Sequence, residues 1–307
     1  MAKRAGCKTA YCIHWRGACD NAPMATSSPP VSIGLPQWFH AAWPFTPRSD
    51  DALARYSRHF DTVEGNTTFY GLPKPDTVRA WQAAVPAHFR FCFKFPRSIS
   101  HDAELHQCEG ETAEFLSRLA PLGDQLDLLW LQLGPRFGPQ HLPALAQYLK
   151  TLSRTFCYAV EVRHPAFFEK GEDEAQLNRL LADHGVNRTV FDTRTLFANP
   201  APDPDTQDAL AQKPKVPTHA VATADKPMVR FISPKNTALA DAALHRWTDV
   251  LLNWHREGIS PRFFLHTPSC AEAPVLAAQL AEHLHAKDPA QPLCTADTHV
   301  AEQGVLF

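Results

Sequence analysis

The feature that most constrains this chain is a rhythm. Eight short apolar runs, at 31–35, 60–66, 90–95, 127–133, 157–163, 188–192, 228–232 and 262–266, are separated by stretches of helical period. In 142–152, Leu142, Leu145, Leu149 and Leu152 share one face, and in 244–254 Leu244, Trp247, Leu251 and Trp254 do the same. Shorter amphipathic pieces fit 50–59, 75–85, 111–120, 172–184 and 273–286. Strands alternating with helices predict a parallel sheet, and eight of them predict a single closed (β/α)8 barrel of the TIM type. No Gly-x-Gly-x-x-Gly follows the first run, which removes the main sign of a dinucleotide-binding sheet. The weak link is 193–227, a Pro- and Ala-rich stretch of 35 residues with at most a short helix near 205–212. An irregular connection that long is expected to be a functional loop after strand six.

The barrel is expected to occupy 31–286. Residues 1–30 lack any sustained period, end in Ser-Ser-Pro-Pro and read as a disordered or artefactual tail, with Met24 a second plausible start. Residues 287–307 form a C-terminal extension. The spacing Cys7-x4-Cys12-x6-Cys19 misses the paired short gaps of a metal knuckle. With 30 basic against 32 acidic residues, bulk charge gives no reason to expect a nucleic-acid or membrane partner. No apolar run reaches the length of a membrane span, and no signal-peptide core opens the chain. Cys92 and Cys157 fall inside strand-like runs, so reduced thiols and a cytoplasmic location are the expectation for the 8 cysteines.

Along each strand, residues two apart share a face. The stretch 60–66 sets Thr62, Glu64 and Asn66 in one polar file, opposite Val63. Six of the seven other strands repeat the device near their ends with Lys94, Gln132, Glu161 with Arg163, Asp192, Arg230 and His266. Their neighbours, Phe93 and Phe95, Leu131 and Leu133, Val160 and Val162, Phe191, Val229 and Phe231, and Leu265, are apolar and expected to face helices. The polar groups are therefore expected to converge in the lumen at the C-terminal mouth, where sites in such barrels lie. A purely structural network of ion pairs is the competing account. It explains six buried charges poorly, because aliphatic residues would serve stability as well or better.

These residues carry a resemblance. TVEGNTTFYGLP at 62–73, FRFCFKFPRSISH at 89–101, LQLGPRFGP at 131–139, EVRHPAFF at 161–168 and FDTR at 191–194 resemble the YecE-like family, domain of unknown function 72. The resemblance spans roughly 31–285 and implies a TIM-barrel-like fold but no established activity. Strand seven, VRFIS at 229–233, keeps only the arginine of the family's Arg-x-His-Gly. Strand eight has His266 and Thr267 where many relatives show paired asparagines, which suggests an altered ligand.

Among chemistries, anion binding fits the residues best. Glu64, Lys94, Glu161 and Asp192 are the candidate catalytic groups, with either glutamate as base and Lys94 as electrophile or Schiff-base amine. Asn66, Arg97, Gln132, Arg163, Arg230 and His266 are the candidate ligand-binding groups, since arginine forks match carboxylate or phosphate. Arg194, Lys213 and Lys215 belong to the long loop, which is expected to fold over the mouth. A small carboxylated or phosphorylated molecule is the expected partner, and no cofactor or metal is assigned. Three alternatives stay open. One is a divalent-metal hydrolase using Glu64, Glu161 and Asp192. Another is a glycosidase using Glu64 and Glu161, with Trp38, Trp43, Tyr70 and Phe168 available to stack on a sugar. The third is a non-catalytic module binding a small molecule or a partner. His101 and His164 are expected to be loop or surface residues.

Overall fold

The computed structural model describes residues 31–39 and 51–293, so the expectations for 1–30, Trp43 and 294–307 lie outside it. Eight strands occur where the apolar runs predict them: β1 (Ser32–Leu35), β2 (Thr62–Gly65), β3 (Arg90–Lys94), β4 (Leu126–Gln132), β5 (Tyr158–Glu161), β6 (Asn187–Asp192), β7 (Met228–Ile232) and β8 (Arg262–His266). All neighbours pair in parallel, and β1 closes against β8 to complete the barrel in sequence order. Among the described residues ten α-helical segments accompany them: α1 (Asp51–Tyr56), α2 (Thr67–Tyr70), α3 (Pro75–Ala84), α4 (Glu109–Leu119), α5 (Leu142–Thr151), α6 (Glu172–Asp183), α7 (Arg194–Ala198), α8 (Pro204–Gln212), α9 (Asp241–Arg256) and α10 (Ala273–Lys287). Among the described residues no helix is long and apolar enough to cross a membrane. Cys92, Cys108, Cys157 and Cys270 are free thiols.

Parallel strands need a crossover from the top of the barrel to its base, and a helix with one apolar stripe covers the sheet as it returns. The predicted faces do this: Leu244, Trp247, Leu251 and Trp254 of α9, and Leu142, Leu145 and Leu149 of α5, are all buried in the outer core. Each such side chain contributes roughly 1.5–3 kcal/mol of transfer free energy. A separate inner cluster of Cys92, Leu128, Trp130, Ala159, Met228 and Phe264 plugs the lumen. Gly34 belongs to this tight layer. A Cβ there would lie 2.6 Å from the Thr62 carbonyl oxygen and 2.8 Å from the Phe264 ring, so only glycine lets β1 approach.

The crossover after β6 is unusual. The predicted short helix is α8, and a second one, α7, precedes it where none was expected. From Lys213 the chain returns to the base without a helix, pinned to β6 by side-chain bonds. Thr193 Oγ1 donates to the Pro214 carbonyl at 3.1 Å, and Thr218 Oγ1 to Asp192 Oδ1 at 3.0 Å. Lower down, Thr223 Oγ1 donates to the Val186 carbonyl at 2.7 Å and accepts from Arg188 N at 2.8 Å. A loop held in this way to groups at the two ends of a strand tolerates the prolines that would break a helix.

Candidate functional site

Register decides which side chains meet. Gln132 is opposite Glu161, and Cys92, two residues before Lys94, is opposite Glu64. Arg230 and His266 continue the luminal file of Met228 on β7 and Phe264 on β8. Above the Trp130 layer these chains build a closed charge network. Arg230 lies at its centre, its guanidinium carbon 4.5 Å from the Trp130 ring centroid. Its Nε and Nη2 donate to Glu64 Oε2 and Oε1 at 3.0 and 2.9 Å, and Nη1 donates to Glu161 Oε2 at 2.8 Å. Arg163 Nε donates to the other oxygen of Glu161 at 2.9 Å. Asn66 Nδ2 donates to Glu64 Oε1 at 2.9 Å, and His266 Nε2 lies 3.0 Å from Glu64 Oε2.

The two glutamates therefore differ. Each oxygen of Glu64 has two polar partners, so this carboxylate is saturated. Each oxygen of Glu161 has one, which leaves it lone pairs for a ligand's proton. Burial on its own would raise both carboxyls. Arg230 with His266 overrides it at Glu64 and holds that group well below the usual carboxylate range, while Arg230, Arg163 and Lys94 hold Glu161 down. Burial pulls the His266 imidazole below its ordinary value despite the facing Glu64 carboxylate.

Two amines at the mouth have no such partner. Lys94, 7% exposed, donates from Nζ to the neutral Gln132 Oε1 at 2.8 Å and stands 3.7 Å from the Phe69 ring centroid. Burial and the neighbouring Arg230 push it down to about 7, against the pull of Glu161. Lys213, which follows α8, is lowered by burial and by the fields of Arg230 and Arg163, against the pull of Glu64 and Glu161. Among the described residues, neither lysine has a carboxylate within 4.0 Å.

The structure thus brings together Glu64, Asn66, Lys94, Gln132, Glu161, Arg163, Arg230 and His266 from the sequence-predicted set. Two members fall elsewhere. Asp192 does not face the lumen: Phe191 is opposite the luminal Arg230, so Asp192 turns outward by the strand's alternation. There it accepts from Trp247 Nε1 at 2.8 Å and from Arg194 Nε and Nη2 at 2.9 and 2.8 Å, and it anchors Thr218 of the long loop. Phe191, expected against the helices, instead lies under Arg163 and Arg230 with ring distances of 5.5 and 5.3 Å. Arg97 is 60% exposed and pairs with Asp102 at 3.3 Å, outside the network. Arg194 belongs to Asp192, and Lys215 stands 5.7 Å from the Phe197 ring, whereas Lys213 is under the field of the network.

His101 and Phe69 are the residues that sequence reasoning missed. A π-helical turn over Ser98–Asp102 follows β3, and Ser100 Oγ lies 2.8 Å from His101 Nδ1. The His101 ring packs edge-on against Phe69 at 5.2 Å, and burial with the fields of Lys94, Arg97 and Arg163 lowers its pKa. Such turns recur at functional sites but leave no periodic signature in sequence. Of the aromatics expected at the rim, Trp38 packs against Trp81 and Phe168 lies beneath Arg188 at 5.5 Å, while Tyr70 is exposed. The rim aromatic that reaches Lys94 is Phe69, the residue before Tyr70, while Trp130 lies 5.0 Å from the same amine from within the lumen.

The chain is similar to several known proteins. Residues 32–299 match the family described as "Protein of unknown function DUF72". The chain is 46% identical over 254 residues to "UPF0759 protein YecE" of Escherichia coli (strain K12), covering 83% of this chain and 92% of that protein. Among solved structures, a DUF72 family protein from Enterococcus faecalis V583 superposes with a TM-score of 0.64 at 19% identity, covering 83% of this chain and 97% of that one. Another from Thermotoga maritima MSB8 gives 0.61 at 19% identity, covering 83% and 99%. At that identity the likeness shows a shared fold.

Proposed function

The chain belongs to the DUF72 family, whose description assigns no reaction, and on the geometry of its mouth we propose that it is an enzyme acting on a small carboxylated or phosphorylated molecule. One observation carries this reading: the Glu64–Arg230–Glu161–Arg163 network balances itself, while Lys94 beside it has only a neutral amide for a partner and Lys213, within the field of both arginines, has no acidic partner among the described residues. Desolvated ammonium groups are stabilised by an arriving anion. Arg230 is engaged along its whole fork and serves as a fixed charge, so the clamp on the anion is Arg163, through its unused Nη groups, with Lys213. Lys94, which titrates near neutrality, is the proton-transfer group or amine nucleophile, and Glu161 is the acceptor beside it.

The alternatives find less support. A divalent-metal centre from Glu64, Glu161 and Asp192 would need three convergent carboxylates, whereas Asp192 is outside and Arg230 bridges the other two. A glycosidase would need one carboxyl held protonated, and both glutamates are held ionised.

The test is titration with phosphate, sulfate and small dicarboxylates, joined to incubation with a mixture of phosphorylated and carboxylated metabolites followed by mass spectrometry. Saturable anion binding should weaken about tenfold to a hundredfold in Arg163→Ala and in Lys213→Ala, the loss of one charge-assisted contact. Turnover of a metabolite should vanish in Lys94→Met. Absence of saturable binding by any anion class, with variants that merely unfold more easily, would overturn the proposal in favour of a structural network.

A further inference from the structure

We propose that Asp241, His245 and His283 form a binding site for a divalent transition-metal ion of the zinc type on the seam between α9 and α10. None of these residues takes part in the mouth. Asp241 and His245 are one helical turn apart on the exposed face of α9, and His283 reaches them from α10. His283 Nε2 lies 3.2 Å from Asp241 Oδ1, and His245 Nε2 lies 3.6 Å from Asp241 Oδ2. A tetrahedral ion with bonds of roughly 2.0–2.1 Å holds its ligand atoms about 3.3 Å apart, and the ligand atoms of these three residues already lie within 4.8 Å of one another, close enough for a side-chain rotation to complete the set. Two imidazoles and a carboxylate are a donor set that suits zinc, nickel or copper and not calcium or magnesium.

The two imidazole rings stack with centroids 3.8 Å apart and planes within 12°. A shared cation uses both lone pairs and answers the Asp241 charge. Glu282, next to His283, adds to the negative field, while Lys287 opposes it but is drawn to Asp249. Nearly parallel rings cannot both hold one ion in plane, so binding requires the exposed His245 to swing out of the stack while the less exposed His283 stays. Ligation through Nε2 also leaves the buried Nδ1 of His283, which has no hydrogen-bond partner, carrying a proton without an acceptor. That missing support keeps the affinity in the micromolar range. The occupied site would tie the last two helices of the barrel together.

The experiment is calorimetric titration of the metal-stripped full chain with Zn2+, compared with His245→Ala, His283→Ala and Asp241→Asn. The cysteines give a background common to all four proteins, so the difference is what counts. One micromolar equivalent should be present in the natural chain, absent or weakened at least about tenfold in each histidine variant, and weakened in Asp241→Asn. Added Zn2+ should raise the melting temperature of the natural chain by more than that of the histidine variants. Equal stoichiometry and affinity in all four proteins would overturn the proposal, and so would a natural chain that takes up no Zn2+ once its thiols are blocked.

Discussion

The two ends of the lumen bury similar charges and treat them differently. At the base, Arg262 clasps Asp127 through Nε and Nη2, Lys226 donates to the same carboxylate at 2.9 Å, and Arg262 Nη1 donates to the Ser260 carbonyl at 2.7 Å. Burial opposes the charge on Lys226, yet Asp127 raises its pKa above the ordinary value. At the mouth, Lys94 has a neutral amide for a partner and is pushed down to about 7. The base satisfies its lysine with a carboxylate. The mouth pairs its arginines with its glutamates and leaves amines over. On the function proposed above, the difference lies in the charges that the mouth fails to pair.

The sharpest break of this comparison is removal of the arginine at each end. Arg230→Leu leaves Glu64 and Glu161 buried with most of their compensation gone, and should cost about 3–5 kcal/mol in urea unfolding. Arg262→Leu leaves Asp127 still bonded to Lys226 and should cost less, about 1–3 kcal/mol. A variant that also carries Glu64→Gln and Glu161→Gln beside Arg230→Leu should recover much of the first loss, since no bare charge remains. Equal costs at the two ends, or no recovery, would mean that the mouth is not the closed network the distances describe.

How much of this was legible beforehand follows from how local each signal is. The strands and helix faces were readable because a period of two or 3.6 is written residue by residue, as in Leu244 to Trp254. The luminal file was readable on β2, β3, β4, β5, β7 and β8 for the same reason. It failed on β6, where the last polar residue was taken for the luminal one. Phe191 and Asp192 differ by one position, and a one-residue error exchanges the faces. Only pairing with Arg230 fixes that phase, and pairing is not local. Asp127 shows the converse. A register shift between Phe91 and Cys92 lets it meet Arg262 in the lumen although it stands one residue before the luminal Leu128. The π-turn that carries His101, and the carboxylates that capture Arg97 and Arg194, depend likewise on where loops close.

A smaller effect comes from exchanging each lysine for methionine at pH 7. Lys226→Met removes a charge-assisted bond to Asp127 from a side chain that is 26% exposed, and Asp127 keeps Arg262. The loss should be about 1 kcal/mol, measured as a lowered urea midpoint at unchanged slope. Lys94→Met removes an amine without a counter-charge, leaves Gln132 Oε1 without its donor, and relieves a buried group of desolvation. These oppose each other, and the net change should lie within about 1 kcal/mol of zero. If Lys94→Met proved the more destabilising of the two, the contrast between satisfied base and unsatisfied mouth would collapse.

The last test separates those two contributions by pH. In the folded chain Lys94 titrates at about 7, against 10.5 as its ordinary value, so between these limits the unfolded chain binds more protons at this position than the folded one. Stability therefore rises with pH across that window. Below pH 7 the ammonium is present in both states and the folded chain bears its full desolvation; above 10.5 the amine is neutral in both and the penalty is gone. Measured as the difference between the natural chain and Lys94→Met, which cancels every other titration to first order, stability should shift in favour of the natural chain from pH 7 to pH 10. Lys226, whose pKa is raised, carries the opposite sign: its contribution is complete below the ordinary lysine range and is lost only as pH climbs beyond it. A saturating anion that pairs with Lys94 should hold it protonated, move its titration upward and flatten the rise. A difference curve that stays flat without any anion would mean that Lys94 is an ordinary charged lysine, and the case for an amine poised near neutrality at the mouth would fail with it.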